Sequence, residues 1–298
     1  AVLYEDGVGV EKSREKAIEW YRVASSQGDP WAWAALARLL PRTDPKVSEF
    51  RSKAAAAGNA DAQYALGFEL TERGDDKSLT EANAWFLKAA EQGHLGAQIA
   101  LGQHLLEGKG GKTNLGLGLD WLTRAARSGN PVANFLLGRR LLAGDAGERK
   151  AAQLNLCKAA EAGHREAQYL CGSLLAETKT LEEKRQAAKW LDQSHSAGHI
   201  EATNRLGKLL REPVVGLQQQ ERARELFLQA AEKGNIDAMY NFAEMQHSGI
   251  GGERDTFEAL KWYGRAADGK HEQAREVVDA LLASSIKTST LGLKGFWQ

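Results

Sequence analysis

The sequence predicts an all-α solenoid of about eight stacked helix-turn-helix repeats, and three observations carry that prediction. A turn glycine recurs at Gly28, Gly58, Gly93, Gly129, Gly163, Gly198 and Gly234, with Lys270 in its place at the eighth turn. Four residues later an alanine stands every time, at Ala32, Ala62, Ala97, Ala133, Ala167, Ala202, Ala238 and Ala274. Eight residues before each turn come Trp20, Phe50, Trp85, Trp121, Asn155, Trp190, Leu226 and Trp262. The spacings between turns run from 30 to 36 residues, the length of a two-helix unit that buries its apolar face only against a neighbour. Stacks of this kind offer long surfaces rather than one deep pocket.

The elements of one repeat follow in order from the residues around Gly93. Ala82, Trp85, Phe86, Ala89 and Ala90 recur at helical spacing on one face, which makes the stretch before the turn a helix. The glycine fits the left-handed position that closes such a helix. Lys88, echoed by Lys53, Arg124, Lys158 and Arg265, suits the negative end of the helix dipole. After the turn comes a polar residue: Asp29, Asn59, His94, Asn130, His164, His199, Asn235 or His271. Asp and Asn there read as N-caps of the next helix, and Pro30 and Pro131 take its first position. That next helix carries Ala97, Leu101 and Leu105 as an apolar stripe. Gly102 interrupts it, as Gly67, Gly138, Gly172 and Gly207 do in other copies. A glycine inside a helix costs about 1 kcal/mol relative to alanine, so close helix–helix approach is the expected compensation.

Loops with glycine join the helices in most copies, at Gly7–Gly9, Gly108–Gly111, Gly144 and Gly249–Gly252. Two copies abandon it, at Thr178 and Pro213, and the first full repeat is five residues short and turns on Pro41 and Pro45. Leu3 and Tyr4 fall in register with the end of a repeat's first helix, so the chain is expected to open mid-repeat, as a piece of a longer array. The expected domain plan is one solenoid over residues 1–283. A tail over 284–298 then lays Phe296 and Trp297 back as a cap.

Thirty-nine basic residues balance thirty-nine acidic ones, so the chain lacks the basic footprint of a nucleic-acid binder. No apolar run reaches the ~18 residues of a transmembrane helix. Cys157 and Cys171 flank the Gly163 turn almost symmetrically, at similar heights on an antiparallel helix pair. That permits a disulfide; two unlinked thiols, at least one in the core, are the expectation.

The succession Ala238-x-x-x-Phe242, Gly249-Ile-Gly251 and Ala259-Leu-Lys-Trp262-Tyr-Gly-Arg-Ala266-Ala267 resembles the Sel-1-like repeat, a relative of the tetratricopeptide repeat. Ala82-Asn-Ala-Trp85-Phe-Leu-Lys-Ala89-Ala90-Glu-Gln-Gly93 and Tyr4-Glu-Asp-Gly7-Val-Gly9 match it closely, and the resemblance covers residues 1 to about 283. It implies a right-handed α/α superhelical solenoid serving as a scaffold or adaptor for another protein, with no catalytic residues and no cofactor. It also implies a bacterial setting in an envelope or secretion assembly, and so favours a periplasmic or envelope location; the residues themselves assign no compartment. A role beside exopolysaccharide or peptidoglycan is the alternative it carries, with components of polysaccharide assembly as partners. A hydrolase of the penicillin-recognising type is a distant third.

Metal and enzyme readings fare poorly on the residues. His94, His164, His199 and His271 share one repeat position, about one unit apart, and read as turn residues. Cys157, His164 and Cys171 look like a ligand set in linear order. At ~1.5 Å rise per residue, however, each cysteine lies roughly 10 Å from the histidine, beyond zinc–ligand bonds of about 2.0–2.3 Å. Ser13-Arg-Glu-Lys16 has the Ser-x-x-Lys form of penicillin-recognising enzymes but lacks their companion elements, so Ser13 reads as a helix cap. Thr180 reads likewise. Trp85, Trp121 and Trp262 read as core.

By analogy with tetratricopeptide stacks, the first helix of each pair lines the concave face, at positions six and ten after each turn. The candidate partner-binding residues at position six are Tyr64, Ile99, Phe135, Tyr169, Asn204 and Tyr240, besides Ala34. At position ten they are Phe68, Gln103, Arg139, Lys208 and Glu244, besides Arg38 and Ser173. A partner segment is expected in that groove with Tyr64, Phe68, Phe135, Arg139 and Tyr169 near its centre. Tyrosine at position six is equally open to a packing role.

Overall fold

The structure, a computed structural model, describes residues 1–212 and 219–294, the last of these from 284 by backbone alone. Among the described residues there are helices and turns but no strands. The chain forms two compact units, Ala1–Leu137 and Gly138–Gln298. The first holds α1 (Val2–Asp6), α2 (Arg14–Ser26), α3 (Pro30–Leu39), α4 (Lys46–Ala56), α5 (Ala60–Arg73), α6 (Asp76–Glu91), α7 (Leu95–Glu107) and α8 (Leu115–Arg127). Helix α9 (Pro131–Leu141) contains the division. The second unit continues with α10 (Ala146–Glu161), α11 (Arg165–Ala176), α12 (Leu181–Ser196), α13 (Ile200–Arg211), α14 (Gln220–Glu232), α15 (Ile236–Ser248), α16 (Thr256–Asp268) and α17 (Glu272–Lys294). Each unit is a run of helix pairs in which successive helices pack side by side, the α/α solenoid that the period predicts. Helix α17 runs on through the segment read as a separate tail, as far as Lys294. The cap expected of Phe296 and Trp297, and the loop at Pro213, lie outside the described residues.

The turn between repeats is one recurring piece of hydrogen-bonded backbone. At Gly93 the φ angle is 86°, its N–H donates to the Ala90 carbonyl at 3.0 Å, and the His94 N–H donates to the Ala89 carbonyl at 3.0 Å. This pair of bonds closes the helix on a left-handed residue. Lys270 makes the same turn with φ 69° and is the one non-glycine residue at positive φ among the described residues. A side chain there costs about 1–2 kcal/mol, partly offset by the greater freedom that glycine has when unfolded. Lys270→Gly is therefore expected to raise stability by about 0.5–1 kcal/mol, read as a higher denaturation midpoint; an unchanged or lower midpoint would show the turn unstrained.

The eight alanines after the turns are all buried, as their regularity demands. The interior glycines mark close crossings. A Cβ on Gly67 would stand 2.7 Å from the Phe86 ring, one on Gly138 2.7 Å from Leu156 and one on Gly207 2.7 Å from Phe227. Gly102 meets Leu122 and Gly172 meets Leu191 in the same way, each at 2.9 Å. These five partners lie one residue nearer the turn than the tryptophan position, and each is at most 1% exposed. The tryptophans are less uniform than their period suggests. Trp121 and Trp262 are buried, Trp85 is only half-buried, and Trp20 is 54% exposed. The recurring cations lie over them, Lys88 Nζ 4.2 Å from the Trp85 ring centre and Arg124 and Arg265 at 4.5 Å from Trp121 and Trp262. They act as cation–π partners three residues on, in addition to any dipole role.

The two cysteines form a disulfide joining α10 to α11, with Cα atoms 5.1 Å apart. This corrects the expectation of unlinked thiols. The antiparallel pair brings the two positions to one height, within the reach a disulfide needs.

Candidate groove and its inter-repeat clasps

At three of the repeats the side chain at position six packs on the cap of the next repeat. Tyr64 stacks on His94, with ring centres 4.5 Å apart. Tyr169 stacks on His199 at 4.4 Å and Tyr240 on His271 at 4.5 Å. Each of these histidines is also an N-cap. His94 Nδ1 accepts from the Ala97 N–H at 3.0 Å, His199 Nδ1 from Ala202 at 3.2 Å and His271 Nδ1 from Ala274 at 3.2 Å. An Nδ1 that accepts leaves the hydrogen of the neutral ring on Nε2. That nitrogen points to an acid three residues before the tyrosine: Asp61 at 3.4 Å, Glu166 at 3.4 Å and Asp237 at 3.9 Å. Acid, tyrosine and histidine thus make one clasp between adjacent repeats, seen once in the first unit and twice in the second.

The histidines are therefore more than turn residues. His164 caps α11 in the same way, its Nδ1 accepting from the Ala167 N–H at 3.3 Å. The signal was in the sequence: an aromatic at position six (Tyr64, Phe135, Tyr169, Tyr240) always precedes a histidine at the next turn. The non-aromatic residues Ala34, Ile99 and Asn204 always precede an asparagine. Elsewhere the expected caps hold. Ser13 accepts from the Lys16 N–H and Thr180 from the Glu183 N–H, each at 3.3 Å, so the side chain of the Ser-x-x-Lys match is a helix cap. Of the three remaining histidines, His104 is buried, 2.7 Å from Asn83 Oδ1. Burial, with Lys109 nearby, lowers its pKa from the usual 6.5.

The candidate partner-binding residues divide accordingly. Tyr64, Tyr169 and Tyr240 are half-buried under their histidines. Phe135 and Asn204 are buried, at 8% and 7% exposure, and Asn204 Oδ1 accepts from Asn241 Nδ2 at 2.9 Å. Lys208 faces Asp237 at 3.8 Å, and Glu244 pairs with Arg211. Both are thus engaged with the neighbouring repeat. Ile99 and Gln103 are half-buried, and Arg139 is exposed. Phe68 is 51% exposed.

The open surface lies in the first unit, beside the short repeat that lacks the clasp. Trp31, Ala34 and Asn59 stand at the positions of acid, tyrosine and histidine. Beside them a groove of about 980 Å³ opens between α3 and α5, lined by Ala34, Arg38, Asp61, Ala62 and Ala65 with Trp20 and Trp31. Trp31 is 76% exposed. Arg42, Arg51 and Ala65 also line a neighbouring hollow of about 610 Å³ that holds Tyr64 and Phe68. Arg38 pairs with Glu5, which accepts from the Tyr21 hydroxyl at 2.9 Å. Burial, then the bond to Glu5, pushes the Tyr21 pKa up to about 12. Burial tends to raise that of Glu5, but the bonds from Arg38 and Tyr21 outweigh it and the net shift is downward. The carboxylate stays charged and fixes the Arg38 guanidinium at the groove wall. Sequence reasoning passed over Trp31 because its position carries no regular residue type.

Among the described residues no helix is long and apolar enough to cross a membrane. The Sel1 repeat family matches residues 1–29, 60–94, 96–130, 131–164, 200–235 and 236–271. The unmatched stretches include the short repeat that carries the groove and the copy that loses its loop glycine near Thr178. The fold is similar to that of c5321, a protective antigen present in uropathogenic Escherichia coli strains displaying an SLR fold. The TM-score is 0.64 at 23% identity, over 97% of this chain and 73% of that one. A Sel1 repeat protein from Oxalobacter formigenes is similar at a TM-score of 0.56 and 24% identity, over 88% of this chain and 89% of that one. No curated protein matches the chain. Sel1 repeats generally mediate protein–protein interaction. With six matched copies over more than half of its length, the chain belongs to the Sel1 repeat family.

Proposed function

We propose that this protein is an interaction scaffold that takes a segment of a partner protein in the groove of its first unit. The observation that carries the reading is the open groove of about 980 Å³ with a 76% exposed tryptophan at its edge. Large aromatic and arginine side chains dominate binding energy at protein interfaces, and Trp31, Trp20, Arg38 and Phe68 gather around two adjoining hollows. The Cys157–Cys171 disulfide supports work in an oxidising compartment such as the bacterial envelope.

Trp31→Ala and Phe68→Ala touch exposed rings, so they are expected to leave the denaturation midpoint nearly unchanged. Together they are expected to weaken a partner recovered by pull-down by about 2–4 kcal/mol, measured by calorimetry. Unchanged affinity would remove the groove from the binding surface. Loss of the folded state in step with affinity would make the two rings structural. Retention of a polysaccharide in place of a protein would favour the glycan-associated role.

A further inference from the structure

The clasps show what side chain fits between position six and the next cap, and of the three repeats without it (Ala34, Ile99 and Asn204) the first has the smallest residue and lines the groove. At three turns an aromatic ring fills the recess between position six and the next repeat's cap, lying 4.4–4.5 Å from an imidazole. At Ala34 the same position ends in a methyl group. The cap opposite is Asn59, whose Oδ1 accepts from the Ala62 N–H at 2.9 Å. Ala34, Asn59, Ala62 and Ala65 all line the groove, and the space beside Ala34 is the recess meant here. The acid of the clasp is replaced as well, by Trp31, whose exposed ring stands at the edge.

Charge supplies the second element. Arg38 and Arg51 line the groove but are paired, with Glu5 and Glu69. Arg42 lines both hollows, is exposed, and makes no ion pair among the described residues. Its guanidinium is a fork for a carboxylate.

We infer that the partner segment inserts an aromatic side chain into the recess at Ala34 and sets an adjacent Asp or Glu against Arg42. The ring takes the place that Tyr64, Tyr169 and Tyr240 hold in three other repeats, so the partner supplies the aromatic this repeat lacks. This rests on the groove reading above and adds the chemistry of the occupant.

The chain itself supplies the blocking variant. Ala34→Tyr with Asn59→His rebuilds the tyrosine–histidine pair of the clasp, with histidine keeping the cap as His94 does. A displayed library of random 12-residue peptides, selected on the full chain, is the probe. The expected result is enrichment of peptides with Phe, Tyr or Trp beside Asp or Glu. Their affinity should fall at least tenfold on Ala34→Tyr/Asn59→His and on replacing the peptide's aromatic by alanine. Arg42→Glu should weaken them too, while neutral peptides with the same aromatic respond less. Enriched peptides that depend on Trp31 but lack an aromatic, or ignore the rebuilt clasp, overturn this inference and leave the groove reading standing. Peptides indifferent to Trp31→Ala and Phe68→Ala, or no enrichment at all, overturn both. Should the double variant fail to fold, Ala34→Leu fills the recess alone and is held to the same tenfold loss.

Discussion

Phe86→Ala is expected to lower stability by about 3–5 kcal/mol, read by chemical denaturation. Phe86 is 1% exposed. Its ring meets the Gly67 crossing, lies 5.8 Å from the Tyr64 ring and stands edge-on to His104 at 5.4 Å. Truncation loses the transfer energy of the ring and leaves a cavity that α5 and α6, fixed by their neighbours, fill only in part. The crossing gives a sharper test. Gly67→Ala gains helix propensity, yet its Cβ would lie 2.7 Å from the Phe86 ring. In the native background the collision dominates and the change destabilises by about 1–3 kcal/mol. In the Phe86→Ala background the collision is gone, and the same change becomes neutral or favourable. Equal effects in both backgrounds would mean that Gly67 is not there for the close approach. Because stacked repeats need not unfold in one step, fluorescence and circular dichroism should be followed together.

Reducing the Cys157–Cys171 disulfide is expected to cost about 3 kcal/mol, the entropy of closing a loop of roughly 15 residues; the sequence separation here is 14. The effect concentrates in the hairpin of α10 and α11. Cys171 is buried, so the freed thiol stays within packed surface rather than reaching solvent. The denaturation midpoint should fall with a thiol reductant, and Cys157→Ala/Cys171→Ala should start low and ignore the reductant. Two thiols titrating freely in the non-reduced, denatured protein would refute the link.

The period decided most of the architecture from residue order alone. Helix pairs, turns on Gly28 to Gly234, buried alanines and close crossings at Gly67 to Gly207 are local or nearest-neighbour demands, and each repeat states them again. Regularity of this kind survives reading because every copy confirms the others. The reading weakened where a residue answers to the adjacent repeat. Tyr64, Tyr169 and Tyr240 looked equally like surface and packing until their stacking on His94, His199 and His271 was seen. Asn204, read as a binding residue, is buried against Asn241 of the next repeat for the same reason. Trp31 matches no repeat and so gives no signal, and the expectation of unlinked thiols fails because equal height permits a bond that only the folded helix pair makes.

Helix boundaries, caps and the stacking of pairs were thus set by sequence, since hydrogen bonding and apolar spacing act over a few residues or one repeat. Which inner positions stay open was settled only in three dimensions. Exposure depends on the side chain contributed by the next repeat, and the groove runs past Ala34 and Asn59, where other repeats stack a tyrosine on a histidine.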